Sequence, residues 1–294
     1  MRTANFKSAA IAALLSMGLL TGCTNGITNQ KTSNHMDTLN LTQEWDKKFP
    51  QSNKVNHRKV TFKNRYGITL AADLYEPKNI ESKVPAIAVS GPFGAVKEQS
   101  SGLYAQTMAE RGFLTLAFDP SYTGESGGEP RNVASPDINT EDFSAAVDFL
   151  IAHPNVDAKR IGIIGICGFG GMGLNAAAMD TRIKATVAST MYDMSRVNAN
   201  GYFDAEDSAE VRRNKREAMN AIRTRDAQNG TATPGTPGLP TSIKGDEPQF
   251  VKDYFDYYKT ERAFHARAIN SNGAWNPTMA LSFINMPLLT YPRD

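Results

Sequence analysis

The sequence is poor in cysteine and histidine and has almost no net charge. Its 294 residues include two cysteines and four histidines, and 32 Lys and Arg residues stand against 30 Asp and Glu residues. Two cysteines do not make a disulfide framework. A charge balance this close to neutral lacks the basic surplus that nucleic-acid binding requires, so nucleic acid is not predicted as a partner. No internal repeat is present.

The first residues have the pattern of an export signal. Arg2 and Lys7 precede an apolar run over residues 9–20, which is too short to span a bilayer. We therefore predict a signal peptide over residues 1–22. Its removal takes away two basic residues and no acidic one, which leaves 30 residues of each sign.

The end of this segment, LTGC at residues 20–23, resembles the bacterial lipobox. The resemblance implies that Cys23 carries lipid and anchors the protein to a membrane of the bacterial cell envelope. Thr24 in the next position implies the outer membrane if the cell is Gram-negative. The alternative is an ordinary secretory signal with an incidental cysteine. Lipidation of Cys23 would leave Cys167 as a lone thiol, which is a liability in an oxidising compartment unless it is buried or used.

Three regions follow the predicted signal peptide. Residues 23–54 are polar and rich in Asn, Thr, Gln and Ser, which predicts a flexible tether. Residues 55–190 alternate between short apolar runs and helical segments, which predicts an α/β fold with a mostly parallel sheet and flanking helices. Residues 191–294 lose this alternation and consist of helices and loops, which predicts a cap over a pocket.

The alternation predicts six strands and three helices in the core. The strands are predicted at residues 59–64, 69–75, 84–91, 113–119, 160–166 and 183–190, and the helices at residues 99–111, 139–153 and 168–178. Asn139 or Thr140 is the predicted N-cap of the second helix. Within the cap, residues 210–225 and 250–259 are predicted to be helical.

The stretch RIGIIGICGFGGMG, residues 160–173, predicts a buried strand, a tight glycine-rich turn and the start of a helix. Cys167 lies at the turn. Such a turn lifts a side chain off the sheet, and the helix N-terminus behind it favours developing negative charge. Cys167 is therefore predicted to be a nucleophile, with the backbone N–H of Gly168 directed at the oxyanion of an acyl intermediate.

Two other interpretations of this turn stay open. Residues 168–173 also match G-x-G-x-x-G, and Asp193 lies 20 residues beyond Gly173, where a ribose-binding acid would lie in a dinucleotide site. The short helix and the position on the fifth strand are unusual for such a site. The other interpretation is a buried structural cysteine in a tight turn, since free cysteine often packs in cores.

Residues 153–171 resemble the nucleophile turn of α/β-hydrolases of the dienelactone-hydrolase type. Relatives of that group contain an X-Pro dipeptidyl-peptidase-like domain and have Cys or Ser at the position of Cys167. Residues 117–128 resemble the block after the fourth strand, although Ser and Tyr replace its usual Arg-Gly pair. Phe169 is bulkier than the second glycine of the usual G-x-S-x-G motif. The resemblance covers roughly residues 55–190 and implies an α/β-hydrolase fold.

Residues 89–99, VSGPFGAVKEQ, resemble the loop after the third strand that supplies the second oxyanion donor in these enzymes. Pro92 has no N–H, so the donor implied by the resemblance comes from Phe93 or Gly94. Phe93 is the preferred choice.

The same family order places an acid and a histidine after the nucleophile. Of the four histidines, only His265 follows Cys167, and it lies in the cap-like region. The resemblance implies two further strands that carry the acid and the base, so we expect the chain to be C-terminally truncated. The strand at residues 183–190 would then be an apolar sheet edge. His265 is retained as a substitute base.

The sequence therefore predicts a hydrolase of ester or small amide or peptide substrates that uses Cys167 and is crippled by the loss of its acid and histidine. The expected partners are a small-molecule ester or amide and, through lipid on Cys23, a membrane; no cofactor and no metal are predicted. The alternative is a non-catalytic envelope lipoprotein that binds a small ligand.

Overall fold

A computed structural model describes residues 39–290 of the chain. The predicted signal peptide and the predicted lipidation at Cys23 lie outside the described residues. The described part forms a single six-stranded sheet, whose strands are β1 (Val55–Lys63), β2 (Thr69–Pro77), β3 (Val84–Ser90), β4 (Leu114–Phe118), β5 (Val156–Ile166) and β6 (Ile183–Ser189). The helices of the core are α1 (Ser100–Ala109), α2 (Pro136–Ala152) and α3 (Gly168–Met179).

The strands are arranged in the order β1-β2-β4-β3-β5-β6. β1 and β2 form an antiparallel hairpin, and β2 is also antiparallel to β4. β3 pairs in parallel with β4 and β5, and β5 pairs in parallel with β6. The predicted α/β class with a mostly parallel sheet is therefore confirmed.

Apolar side chains cover both faces of the sheet, because β3, β4 and β5 are continuous apolar runs rather than alternating ones. On one face, the aromatic and aliphatic side chains of α2 and α3 pack against the strands, with Phe143, Leu150 and Met172 fully buried. On the other face, Ala105 and Ala109 of α1 pack against the sheet. The carboxyl ends of the parallel strands are therefore held between two packed layers.

Several element boundaries differ from prediction; β5, for example, begins at Val156 rather than at residue 160. β1 begins at Val55 because the hairpin pairing continues to the end of β2, where Val55 lies opposite Pro77. The predicted N-cap of α2 at Asn139 or Thr140 is wrong: the helix begins at Pro136 after Ser135. Proline is preorganised for the first helical position, and the Asn139 side chain instead accepts a hydrogen bond from the Ser135 N–H at 3.0 Å.

The described half of the predicted tether, residues 39–54, packs on the core. The Lys48 N–H donates to the Glu98 carbonyl at 2.8 Å, and the Ser52 N–H donates to the Gln106 side chain at 3.0 Å. Phe49 is buried, and its ring packs so closely on α1 that a Cβ on Gly102 would lie 3.0 Å from it. An apolar anchor within a polar segment fixes this part of the chain, contrary to the flexible tether that composition predicts.

The region after the sheet is a set of helices and loops. Its helices are α4 (Met194–Asn200), a 3₁₀ helix (Tyr202–Asp204), α5 (Ala209–Asn229), α6 (Gln249–Tyr258), α7 (Ile269–Asn272) and α8 (Leu281–Ile284). The two predicted cap helices are confirmed as α5 and α6. Met279 and Phe283 are buried in the same core cluster as α2 and α3, so this region is joined to the core by apolar packing.

β6 is the last strand of the sheet among the described residues. It pairs only with β5, and Val187 on it is 52% exposed. The prediction of an exposed apolar edge at this strand is therefore confirmed for residues 39–290. None of the described helices is long and apolar enough to cross a membrane.

Candidate active site

Cys167 occupies the single residue between the end of β5 and the start of α3. Its backbone has φ of +57° and ψ of −124°, a strained combination for a residue with a side chain. Three backbone hydrogen bonds hold the turn: the Cys167 N–H donates to Ser189, and the Cys167 carbonyl accepts from Gly170 and Tyr192. Strain of about 1–3 kcal/mol at one residue persists only where the surroundings fix it, as they do here.

Two glycines allow the chain to make this turn. A Cβ on Gly165 would lie 2.2 Å from the Phe169 carbonyl oxygen, so only glycine fits there. A Cβ on Gly168 would lie 2.7 Å from Met194 and 2.9 Å from the Phe93 Cβ. Phe169, which departs from the usual glycine, directs its ring into the core, where it is 2% exposed. The departure is therefore accommodated by the apolar layer below the turn.

The structure brings both predicted oxyanion donors to the Cys167 sulfur. The backbone N–H groups of Gly168 and Phe93 lie near enough to the sulfur to lower its pKa. Burial raises the pKa of the Cys167 thiol above its ordinary value, and the two N–H groups only partly oppose this effect. The site therefore holds a mostly protonated thiol at neutral pH beside two donors suited to an oxyanion.

The sulfur faces a cavity of about 970 Å³. One wall is the loop with Phe93, and the other walls come from the region after the sheet. Aromatic side chains dominate this lining: Tyr192, Tyr202, Phe250, Tyr254, Tyr258 and Trp275. Residues 191–279 therefore supply most of a pocket above Cys167, as a cap does, and Cys167 is half-buried at its floor rather than enclosed in the core.

Phenol groups surround the thiol. Burial raises the pKa of Tyr202, Tyr254 and Tyr258, and a negative charge on the Cys167 sulfur would raise each of them further. These hydroxyls consequently remain protonated near neutral pH and can donate hydrogen bonds but not take up a proton. They provide hydrogen-bond donors in the cavity but no general base.

His265 does not line the cavity of Cys167, so the structure does not bring the predicted substitute base to the nucleophile. Its backbone N–H donates to the Ser271 hydroxyl at 3.2 Å, and its Nε2 lies 3.7 Å from an Asp46 carboxylate oxygen. The ring is buried, and burial lowers its pKa. His265 is thus a packed side chain near an ion-pair network.

The other described histidines also lie elsewhere. His57 Nε2 lies 2.8 Å from Asp73, and His153 Nε2 lies 3.5 Å from Glu76. Within residues 39–290, therefore, no histidine lines the cavity.

The alternative dinucleotide site is wrong, because the glycine turn has no room for a pyrophosphate. Cβ atoms on Gly170 and Gly171 would lie 2.9 Å from Met191 and from the Tyr192 carbonyl, so the loop after β6 covers these glycines. Asp193 is the N-cap of α4, where its side chain accepts from the N–H groups of the next helical residues. Both features of the motif serve packing and capping.

A buried ionic cluster, which the sequence analysis did not predict, lies behind the Phe93 loop. The Lys97 ammonium lies 2.7 Å from Glu98, 2.9 Å from Asp119 and 2.7 Å from Glu125. Burial alone would lower the Lys97 pKa, but the carboxylates, Asp119 foremost, hold it well above its usual value. The three carboxylates have the proximity of a metal site, and the lysine ammonium occupies its centre. The sequence indicates this cluster only through Lys97 and Glu98, which lie in the stretch VSGPFGAVKEQ.

The strand order, the strained turn with a nucleophilic residue after β5, and the two converging N–H groups define an α/β-hydrolase. Residues 66–281 match the family described as X-Pro dipeptidyl-peptidase (S15 family), and the chain belongs to this family. The resemblance found in the sequence is thereby confirmed at the level of fold and superfamily.

The chain is 59% identical to protein PA2218 of Pseudomonas aeruginosa over its whole length, which corresponds to 80% of that protein. The crystal structure of PA2218 superposes with a TM-score of 0.83 and 65% identity, over 86% of this chain and 78% of the other. Escherichia coli YcjY is 38% identical over 72% of this chain and 70% of its own length. The thiohydrolase aneE of Aspergillus aculeatus is 33% identical over 45% of this chain and 41% of its own length. The family match and the partial similarity to a thiohydrolase support a general hydrolase role.

Proposed function

We propose that the protein cleaves esters or small amides by transient acylation of Cys167. The observation that carries the proposal is the convergence of the Phe93 and Gly168 N–H groups on the sulfur, at the floor of a large cavity. In acyl transfer the negative charge forms on the substrate carbonyl oxygen, close to the attacking sulfur. N–H groups near the sulfur can therefore donate hydrogen bonds to this oxygen.

In the first step, the Cys167 thiolate adds to the substrate carbonyl carbon, and the carbonyl electron pair moves onto oxygen between the two N–H groups. Collapse of this adduct expels the alcohol, thiol or amine, which leaves with a proton, and forms a thioester on Cys167. Water then adds to the thioester and releases the carboxylic acid and the free thiol. No redox partner or cofactor is needed for this balance.

Proton transfer is expected to limit the rate of the proposed reaction. The thiol pKa is raised by burial, and neither a histidine nor an ionised tyrosine lines the cavity in residues 39–290. The thiolate is therefore a minor species at neutral pH. Asp253, the carboxylate in the lining, accepts a hydrogen bond from Gln249 at 2.9 Å and has no hydrogen bond to Cys167. We expect acylation to be slow and turnover slower still, in keeping with a crippled hydrolase.

The lining of the cavity favours an apolar acyl group. Aromatic and methionine side chains surround the sulfur, and neither lysine nor arginine is among the lining residues. The partial similarity to a thiohydrolase makes thioesters a second class of candidate substrate, beside esters. A phenyl or medium-chain acyl ester should thus react faster than an anionic acyl ester.

The test is release of p-nitrophenolate from a p-nitrophenyl ester by the wild-type chain, Cys167→Ala and Cys167→Ser. A burst of about one equivalent per chain that vanishes in Cys167→Ala supports the proposal. Cys167→Ser is the matched control, because it keeps the geometry but lowers the nucleophilicity. Release that is unchanged in Cys167→Ala would show that Cys167 is not the nucleophile.

A second candidate is reversible ligand binding without chemistry. It is favoured by the raised thiol pKa and by the absence of a histidine from the lining of the cavity in the described part of the chain. Saturable quenching of Trp275 fluorescence by an ester, equal in the wild-type chain and in Cys167→Ala and without an acyl adduct, would favour it.

We also propose that Cys23 is lipidated and that the protein is anchored in the cell envelope. The support is the sequence pattern at residues 20–23. Labelled fatty acid should enter the wild-type protein and not Cys23→Ser. Equal labelling of both proteins, or none in either, would contradict the anchor.

A further inference from the structure

The loop that supplies the Phe93 donor is a tight turn. The Ala95 N–H donates to the Pro92 carbonyl at 3.0 Å, and Gly94 in the third position has a φ of +84°. A type II turn has this bond and needs glycine at this position. Because a trans peptide directs its N–H away from its carbonyl, the closing bond to Pro92 also orients the Phe93 N–H on the opposite side.

A side chain from α7 holds this turn from outside. The Asn270 Nδ2 donates to the Phe93 carbonyl at 2.9 Å, and the Asn270 backbone N–H donates to the Gly94 carbonyl at 3.0 Å. Both carbonyls in the middle of the turn are thus bonded to one residue. The approach is close: a Cβ on Gly94 would lie 2.4 Å from the Asn270 Oδ1.

Asn270 and the turn both lie against aromatic residues of the cavity. The Asn270 amide lies near the Tyr258 hydroxyl and partly opposes the rise that burial causes in the Tyr258 pKa, and Tyr258 is buried at the end of α6. Trp275 stacks on the Phe93 ring with centroids 4.3 Å apart. The turn is therefore clamped between the α7 amide and an aromatic ring, both of which come from the region after the sheet.

We propose that Asn270 is a positioning residue that holds the Phe93 N–H in place for the oxyanion. The inference rests on the proposed acyl transfer, since the oxyanion exists only in that reaction. Asn270 acts on the turn through its amide, and the backbone bond to Gly94 would survive substitution. Asn270 also lines the cavity, so the ester concentration at half-saturation is measured beside the rate constants to distinguish positioning of the turn from contact with the substrate.

The test compares two reactions of the same thiol in a Cys23→Ser background, which leaves Cys167 as the one cysteine. Acylation by a p-nitrophenyl ester forms an oxyanion, whereas alkylation by iodoacetamide forms none. Both rate constants depend in the same way on the fraction of Cys167 that is thiolate at a given pH. The ratio of the acylation rate constant to the alkylation rate constant therefore reports the contribution of the Phe93 N–H alone. In Asn270→Ala we expect this ratio to fall by about tenfold, with the ester concentration at half-saturation little changed.

Asn272→Ala is the matched control, because Asn272 lies on the same short helix and is exposed. Its ratio should equal that of the Cys23→Ser parent. Asn270→Asp keeps the volume, lacks the amide donor and should lower the ratio at least as much as Asn270→Ala. If Asn270→Ala loses its cooperative unfolding transition, the Asn270→Asp result decides.

An unchanged ratio in Asn270→Asp, or an equal fall in Asn272→Ala, would overturn the role of Asn270. A parent chain that is alkylated but never acylated would instead refute the proposed function. In that event, hydrogen exchange of the peptide that covers residues 92–99 still tests the clamp. Faster exchange in Asn270→Asp than in Asn272→Ala supports it, and equal exchange overturns it.

Discussion

Lys97→Met is the substitution whose cost follows most directly from the structure. The Lys97 ammonium is fully buried and lies within 2.9 Å of Glu98, Asp119 and Glu125. Methionine fills a similar volume without the charge. The substitution therefore removes one cation and keeps three buried carboxylates.

The remaining cations do not compensate for this loss. Glu125 keeps Lys59 at 2.6 Å and Glu98 keeps Arg267 at 2.9 Å, but Asp119 loses the only ion pair that it forms with residues 39–290. One buried carboxylate is then unpaired, and breaking a buried pair in this way costs about 3–5 kcal/mol in the free energy of unfolding. Asp119 would retain the backbone N–H bonds from Glu125 and from residue 97, which places the expected cost toward the lower end.

The cost should also depend on pH. Burial raises the pKa of Asp119 even in the wild-type protein, where Lys97 opposes the rise, so loss of Lys97 raises this pKa further. In Lys97→Met the unpaired carboxylate can be neutralised at a higher pH. The difference in unfolding free energy between the two proteins should therefore shrink as pH falls from 7 to 5.

The assay is urea unfolding followed by tryptophan fluorescence and circular dichroism at pH 7 and pH 5. Lys83→Met is the matched control, because Lys83 is exposed and forms no ion pair with the described residues. The double variant Lys97→Met/Asp119→Asn should recover part of the loss. A loss below about 1 kcal/mol in Lys97→Met, or a loss equal at both pH values, would refute the assignment of a buried charge cluster.

Three further predictions concern the site itself. In Gly168→Ala the added Cβ would displace Met194 and Phe93. We therefore expect the rate of ester acylation, measured by stopped-flow absorbance, to fall by about tenfold, and the free energy of unfolding, measured in urea, to fall by about 1–3 kcal/mol. An unchanged acylation rate would contradict the steric argument. The acylation rate of Cys167 should rise by about tenfold per pH unit between pH 7 and 8, because burial raises the thiol pKa; a plateau above pH 6.5 would indicate a histidine base. His265→Gln should leave acylation within about twofold of wild type in the same assay, and a larger loss would place His265 in the reaction.

The strands and the nucleophile turn were predictable because their signals are local. Apolar runs of five to eight residues predict strands that are buried on both faces, and the glycines around Cys167 meet a steric need of the turn itself. The start of α2 was predicted three residues too late, because Asn139 and Thr140 are common N-cap residues, whereas the true N-cap, Ser135, forms no side-chain capping bond.

The clamp and the charge cluster could not be predicted because their partners are distant in sequence. Asn270 contacts Phe93 across 177 residues, and Lys97 contacts Asp119 and Glu125 across 22 and 28. Neither a lone asparagine nor a lone lysine has a pattern of its own. The packed segment at residues 39–54 was missed for a related reason, since one anchor, Phe49, decides its position against a polar composition.

Peptide mass mapping after reaction with a p-nitrophenyl ester tests the central claim most directly. Trypsin should release residues 161–182 as one peptide, in which Cys167 is the sole cysteine. The account predicts one acyl group on this peptide, located at Cys167 by fragmentation, and none on the corresponding peptide of Cys167→Ala. An unmodified peptide in a chain that still releases p-nitrophenolate, or an acyl group on another residue, would contradict it.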